Sequence, residues 1–263
     1  MGTYAVTGAA SGIGAATADR LRSGGHDVIG VDLAAVEVVA DLGTATGRRD
    51  ALDRVATLCR GALDGVVACA GLGPVPSRAG SSIVSVNYFG TVEVLDGLRP
   101  LMAEVEAAAA VAISSNSTTT APGVPVDLVE KCLAGDEDRA RGRADEVGAL
   151  SVYPASKIAV ARWVRRQAVT DDWIGAGIRL NAVAPGLIDT AMVAEGRADP
   201  TMAPLLDMFP IPLGRPGRSE EIAALIDFLL GPEAGFFCGS VVFADGGTDA
   251  LLRTDDWPAA WEL

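Results

Sequence analysis

The sequence holds a single histidine, only four cysteines and an aromatic content of 5%. His26 stands at the head of an apolar run, apart from any candidate nucleophile. That argues against a Ser-His-Asp hydrolase, excludes a histidine-ligated zinc alcohol centre, and leaves His26 to read as a surface residue. Cys59, Cys69, Cys132 and Cys238 lie far apart and make no CxxC pair. Neither a disulfide framework nor a zinc knuckle is indicated, no metal is expected, and the four read as buried thiols in a reducing cytoplasm. Basic residues are scarce, with 21 Lys and Arg against 34 Asp and Glu, a formal charge of −13, and no Lys/Arg run longer than a pair. A nucleic-acid partner demands the opposite, so none is expected. No apolar run reaches the roughly 18 to 20 residues that cross a bilayer, so no membrane partner is expected either. The opening MGTYAVTG enters a strand with no charged and apolar leader before it, and the expected location is the cytoplasm.

What the chain has in quantity is apolar and glycine residues, 49% and 31 respectively. That suits a parallel sheet covered by helices on both faces. Short apolar runs fall at Tyr4–Thr7, Asp27–Val31, Val36–Ala40, Gly65–Ala70, Ala110–Ser114, Ile178–Val183 and Ser240–Ala244, with helical patterns between most of them. The expected architecture is α/β, a single doubly wound domain over residues 1–263 with a seven-stranded, mostly parallel sheet. Two stretches interrupt it. Residues 127–148 carry eleven charged side chains, with Leu128, Val129, Cys132 and Leu133 spaced as one apolar helix face, which predicts a half-exposed helical excursion. Residues 190–216 are rich in Met and Pro and read as a long irregular segment of the kind that carries function.

The first strand runs into AASGIG, so Gly8, Gly12 and Gly14 lie between a strand and a helix. Glycines there let backbone N–H groups approach a pyrophosphate at the helix N-terminus, although a tight strand-to-helix turn uses glycines for steric reasons too. The second strand ends in Asp32, placed to accept hydrogen bonds from an adenosine ribose and to repel a 2′-phosphate. Ala9, Ala10 and Ser11 offer that phosphate no cation, so the pattern selects NAD over NADP. Asp41 and Leu42 are placed either to meet the adenine or simply to end a strand.

SVYPASKIAVARWVRRQAV reads as an amphipathic helix with Pro154 in its first turn. Tyr153 and Lys157 then share a face, where an ammonium can lower the pKa of a phenol. A core tyrosine beside a solvated lysine gives the same spacing.

Together with CAG at Cys69–Gly71, VNYFG at Val86–Gly90, ISS at Ile113–Ser115, NAVAPGLIDT at Asn181–Thr190 and the late DGG at Asp245–Gly247, the chain resembles the short-chain dehydrogenase/reductase family along nearly its whole length. The resemblance implies a Rossmann-type domain. It makes Tyr153 the general acid/base and Lys157 the cation that tunes it and holds the nicotinamide ribose. Ser115 becomes the hydroxyl that orients the substrate oxygen, with Ser114 its rival, and Asn87 steadies a water relay behind the lysine. It further implies dinucleotide contacts from Gly8, Ser11, Gly12, Ile13, Gly14, Asp32, Leu33, Asp41, Leu42, Cys69, Ala70 and Gly71. Tyr153 and Lys157 join them, with Pro185, Gly186, Ile188 and Thr190 flanking the nicotinamide carboxamide.

One departure narrows the resemblance. Ser115 and Tyr153 are separated by 37 residues, far more than is usual in the family, and the extra segment lies at about 121–148. It falls where the family's dimerising helix begins, which puts the usual tetramer in doubt and leaves a homodimer or homotetramer open. An insertion there, with HDVIGVDL, CAGLGP and SVNYFGT, resembles the branch containing bacterial 3α-hydroxysteroid dehydrogenase/carbonyl reductase. The implied activity is NAD-dependent interconversion of a secondary alcohol and a ketone on an apolar, steroid-like or other bulky cyclic substrate. A dihydrodiol or other alcohol is the rival substrate. A non-catalytic NAD-binding regulator that uses the charged insertion as a docking surface is the rival function. Met192, Met202, Met208 and Phe209 either form a substrate lid over about 190–216 or plug onto the core. The Trp257–Leu263 tail either covers a neighbouring subunit or docks on its own chain.

Overall fold

A strand that leaves the core and returns as a helix needs alternate residues for two different faces, and the first strand, β1 (Thr3–Thr7), shows this at once. In the computed structural model, which describes residues 1–256, Ala5 packs into one apolar cluster and its neighbour Val6 into a second on the opposite face. The same alternation recurs at Val66 and Val67 and at Ala182 and Val183, as the two-residue period of a strand buried on both sides requires.

In chain order β1 is followed by α1 (Gly12–Ser23), β2 (Asp27–Asp32), β3 (Val38–Val39) and α2 (Ala45–Leu58). Then come β4 (Gly65–Ala68), α3 (Gly80–Val84), a π-helical turn at Ser85–Gly90 and α4 (Thr91–Met102). Next are β5 (Ala109–Ile113), α5 (Ser117–Thr120), α6 (Val126–Leu133), α7 (Glu137–Val147) and α8 (Ala149–Gln167). The last part runs β6 (Arg179–Pro185), β7 (Ile188–Asp189), α9 (Ala191–Ala198), α10 (Met202–Asp207), β8 (Gly217–Arg218), α11 (Ser219–Leu230), β9 (Val241–Ala244) and α12 (Thr248–Leu252).

Seven strands form one sheet in the order β3-β2-β1-β4-β5-β6-β9, parallel throughout. This is a doubly wound Rossmann-type domain, and each of the seven expected strands is present within a few residues. The chain builds outward from β1 to β3, then returns to β4 and builds the other way. The strand order reverses between β1 and β4, and open sheets of this kind bind ligands beyond the strand C-termini at that reversal. Helices α1 and α11 cover one face with Leu21, Ile222, Ile226 and Leu229. The other face is covered by α2, α4 and α8, whose Val55, Leu95 and Val160 pack with the small strand residues Ala5, Ala110, Ala112 and Ala182.

The structure departs from expectation in four places. The short third strand keeps only Val38–Val39. Ile188–Asp189 and Gly217–Arg218 pair as a separate two-stranded sheet that their brevity hid. Helix α8 begins at Ala149, so Pro154 lies in its second turn rather than its first. Gly148, at φ +78°, lets the chain fold sharply from α7 into α8 and moves that start upstream. The stretch at 190–216 contains two helices, α9 and α10, and is therefore not irregular. The tail at Trp257–Leu263 lies outside the described residues.

Residues 127–148 form the expected half-exposed helical excursion, anchored by one buried strip. Leu128, Val129 and Cys132 are at most 1% exposed, as are Ala140 and Ala144, and all five belong to the core on the α8 face. Gly80 of α3 faces the Ala144 carbonyl of α7 with no space for a side chain. The charged residues pair outward or sideways, as in Arg143 with Asp127 at 2.7 Å. Truncating Leu128 to Ala is therefore expected to lower unfolding free energy by about 2–5 kcal/mol, read from urea denaturation midpoints. A loss under about 0.5 kcal/mol, as for a surface position, would contradict this packing.

Candidate active site

The cleft begins at the turn from β1 into α1. Gly8 has φ +68°, and a Cβ there would come within 2.9 Å of the Ala70 nitrogen. Gly14, in the first turn of α1, abuts the Gly8 carbonyl so closely that any side chain would collide with it. Gly8 thus lets the exit of β1 pass against the segment that follows β4, and Gly14 lets α1 start tight against that turn. The Thr7 hydroxyl accepts the Ala70 N–H at 3.0 Å and fixes that crossing. Asp32, at the end of β2, accepts the Ala10 N–H at 3.0 Å and the Leu33 N–H at 2.6 Å. Its carboxylate is thus turned toward the glycine loop.

The other end of the cleft is built where β5 meets α8. The Lys157 ammonium donates to the Ile113 carbonyl at 2.9 Å, and the Ser114 hydroxyl donates to the Lys157 carbonyl at 3.0 Å. This second bond occupies Ser114 and separates the two candidate serines. Ser115 is the one that faces Tyr153, and its oxygen accepts the Ser117 N–H at 3.1 Å, leaving its own proton to donate. Burial raises the Tyr153 phenol above its ordinary range, and the Ser115 hydroxyl works against that shift. Lys157 lies 5.9 Å from the tyrosine ring centroid, and burial lowers its ammonium to about 8. The phenol stays above its ordinary range in this geometry because desolvation outweighs the Ser115 hydrogen bond. Burial also pushes the neighbouring Cys69 thiol up to about 12, so it is an inert wall residue at neutral pH.

A single cleft of about 530 Å3 runs between these ends. Every residue expected to contact a dinucleotide lines it, and so do Ser115, Tyr153 and Lys157. Asn87 does not. It sits in the π-helical turn, fully buried, where its amide accepts the Leu72 N–H at 2.7 Å and donates to the Leu72 carbonyl at 3.0 Å. Its nitrogen also lies 3.4 Å from the Ser156 hydroxyl of α8. Asn87 therefore holds the backbone beyond Gly71 against α8. Its amide is occupied by Leu72 rather than free beside the lysine. π-helical turns inside helices often mark functional positions, and the VNYFG motif is the only sequence signal for this one.

The outer wall is apolar. Val75, Leu150, Met192, Met202, Leu205, Leu206 and Phe209 line it. Met208, expected in the lid, instead points away and is 72% exposed. Leu205 and Leu206 take its place because the 202–207 stretch is helical, which the proline-rich composition concealed. Sequence reasoning also missed a strap across the rim. Arg78 donates to the Gly73 carbonyl at 2.7 Å and to Glu195 of α9 at 2.6 Å, and Arg78 and Glu195 stand 117 residues apart with no shared pattern.

Comparison with known proteins follows the same lines. Residues 3–125 match the family described as short chain dehydrogenase, and residues 141–249 match the one described as enoyl-(acyl carrier protein) reductase. The 3α-hydroxysteroid dehydrogenase/carbonyl reductase of Comamonas testosteroni is 39% identical over 256 residues, covering 96% of this chain and 98% of that protein. The cis-4-hydroxycyclohexanecarboxylate dehydrogenase of Sinomonas cyclohexanicum is 34% identical over 263 residues, with 94% and 96% covered. The crystal structure of the 3α-hydroxysteroid dehydrogenase from Pseudomonas sp. B-0831 complexed with NADH superimposes with a TM-score of 0.92 at 44% identity, covering 97% of this chain and all of that one. With the glycine turn, the Ser-Tyr-Lys cluster and these likenesses in agreement, the chain belongs to the short-chain dehydrogenase/reductase family.

Proposed function

We propose that the protein is an NAD-dependent oxidoreductase interconverting a secondary alcohol and its ketone on a steroid-like or other bulky cyclic substrate. The observation that carries this reading is one continuous cleft that joins the glycine turn and Asp32 to the Ser115–Tyr153–Lys157 cluster and then opens onto an apolar wall. The residues fit the dinucleotide. The first N–H groups of α1, which starts at Gly12, have no carbonyl partner within the helix and suit a pyrophosphate. Asp32 is a carboxylate with no cation beside it in the loop, which suits a ribose diol and opposes a 2′-phosphate. Bound NAD⁺ supplies the hydride acceptor.

The chain's own residues manage the proton. In oxidation, Tyr153 as phenolate takes the hydroxyl proton of the alcohol; in reduction, the phenol returns it to the carbonyl oxygen. Ser115, with its oxygen committed to the Ser117 N–H, donates to the substrate oxygen and holds it at the phenol. Lys157 uses one of its donors on Ile113 and keeps the others for the nicotinamide ribose. Asn87 fixes the Leu72 backbone next to the lysine's wall of the cleft. Pro185, Gly186, Ile188 and Thr190 shape the nicotinamide end, and α9 with α10 forms the lid over the substrate. The four free cysteines suit a cytoplasmic location, and a homodimer or homotetramer completes the reading.

Among the described residues, Lys157 is the one cation lining the cleft, and it is buried. A carboxylate attached to the substrate ring would therefore be desolvated against apolar side chains without a partner. Following NADH absorbance across a panel of hydroxysteroids, neutral cyclic alcohols and dihydrodiols should give turnover with NAD⁺ and little with NADP⁺. cis-4-Hydroxycyclohexanecarboxylate should run about tenfold or more below its neutral cyclohexanol counterpart in kcat/KM, a discrimination a missing polar partner readily supplies. Tyr153→Phe should cost roughly 10²–10⁴ in kcat while NADH affinity stays near wild type. Full activity in that variant would remove the tyrosine from the chemistry.

The electrostatics give a pH test. Oxidation needs phenolate, so its rate rises with pH toward the raised phenol pKa. The Ser115 hydroxyl favours phenolate by donating to it. Removing it in Ser115→Ala is expected to move the alkaline rise of kcat/KM for oxidation to higher pH, besides slowing turnover. An unmoved or acid-shifted profile would show that Ser115 does not act on the phenol.

A further inference from the structure

Arg48 is the most deeply buried charged side chain among the described residues, 1% exposed, and nothing in the proposed chemistry uses it. Its Nε donates to Glu93 of α4 at 2.6 Å and its Nη2 to Glu137 of α7 at 2.5 Å. Nη1 donates to the Leu42 carbonyl at 3.2 Å. Burial works against the guanidinium charge, but the bonds to Glu137 and Glu93 more than offset this and raise its pKa. Leu42 is itself a cleft residue beside Asp41, and on its far side Gly90 leaves only 3.1 Å between a would-be Cβ and the Leu42 carbonyl. Glu137 also accepts the hydroxyl of Ser85 at 2.8 Å, and Arg141 donates to that same hydroxyl at 2.6 Å. Ser85 opens the π-helical turn that carries Asn87.

We infer that Arg48 and Glu137 are positioning residues for the adenine end of the dinucleotide, so that the charged helix α7 sets cofactor affinity from inside the fold. The inference rests on the dinucleotide reading of the cleft. The geometry is directional. The guanidinium fork is planar, so anchoring two of its edges on Glu93 and Glu137 determines where the third meets the Leu42 carbonyl. That carbonyl determines where the Asp41–Leu42 wall stands. Without Glu137, the fork keeps one carboxylate and is free to rotate, and the wall loses its fixed height. The nicotinamide end is held by a separate set of bonds between β5 and α8, in which neither Arg48 nor Glu137 takes part.

The test compares a cofactor that has an adenine with one that lacks it. Dissociation constants for NADH and for reduced nicotinamide mononucleotide are measured on wild type, Glu137→Gln and Glu137→Ala, with kcat at saturating NAD⁺ and the thermal midpoint recorded alongside. Glu137→Ala should weaken NADH by about tenfold, in the range by which residues that never touch a ligand shift its affinity. Glu137→Gln, which keeps the shape, should weaken it less. The mononucleotide should bind all three proteins within about twofold, and kcat should hold. Equal weakening of both cofactors would assign the pair a purely structural role and overturn the inference. So would unchanged NADH affinity in either folded variant. A wild type that binds neither cofactor would instead sink the dinucleotide reading, and this inference with it.

Discussion

Two hydrogen bonds at Lys157 decide where everything else in the cleft stands. Its side chain donates to the Ile113 carbonyl and its own carbonyl accepts from Ser114, so one residue of α8 is tied twice to the tip of β5. A single bond would leave the helix free to pivot about it, whereas two bonds of opposite direction fix both its height and its rotation. Tyr153 lies one turn before Lys157 and so is brought to face Ser115, the next residue along the strand's exit. The sheet gives this joint its stiffness. β5 is paired on both sides, to β4 and β6, and all five of its residues are buried.

The same joint sets the electrostatics. Bringing an ammonium and a phenol out of water disfavours the charged form of each, which lowers one and raises the other. The lysine at about 8 still keeps its proton at neutral pH. Its folded pKa lies below its ordinary 10.5, so between pH 8 and 10.5 the unfolded chain binds the proton that the folded chain has released. Its contribution to stability therefore rises with pH through that window. Cys69 beside it runs the other way. Its thiol is raised from 9 to about 12, so the unfolded chain deprotonates first and the thiol's contribution falls over that range. These two neighbours have opposed pH dependences where the windows overlap, and burial of one wall of the cleft is the cause of both.

The sheet was legible in the sequence because its central strands are buried on both faces and read as dense apolar runs. The site was legible because its ends are written in local patterns. Gly8, Gly12 and Gly14 mark a turn, Asp32 marks a strand end, and Tyr153 and Lys157 share a helix face. What escaped was whatever depends on meetings between distant segments. The Arg78–Glu195 strap joins residues that no local period relates. Asn116 and Asp245, 3.3 Å apart, tie the serine loop to the end of β9 in the same way. Asn87 was found by its motif, but its grip on both polar groups of Leu72 was not, because backbone partners leave no trace in side-chain patterns. The pairing of β7 with β8 is too short to show as a strand at all.

The charged stretch at 127–148 shows how small residues anchor a polar, half-exposed segment. A helix with many charges is expected to be solvated when burial is taken to need large apolar residues. Helix α7 is instead buried along a strip of alanines, Ala140 and Ala144, and small residues let helix backbones approach closely, as the contact of Gly80 with the Ala144 carbonyl shows. Close approach then carries the flanking charges inward. Glu137 reaches Arg48, Arg141 reaches Ser85, and Asp145 accepts the Ser81 N–H at 2.8 Å. A charge drawn in this way must be paired, because an unpaired one would cost several kcal/mol of desolvation. The pairs in turn are directional where apolar contacts are not. An alanine strip thus places α7, and its charges then set the orientation of α2 and the π-helical turn, so this polar segment specifies the interior on which the cleft is built.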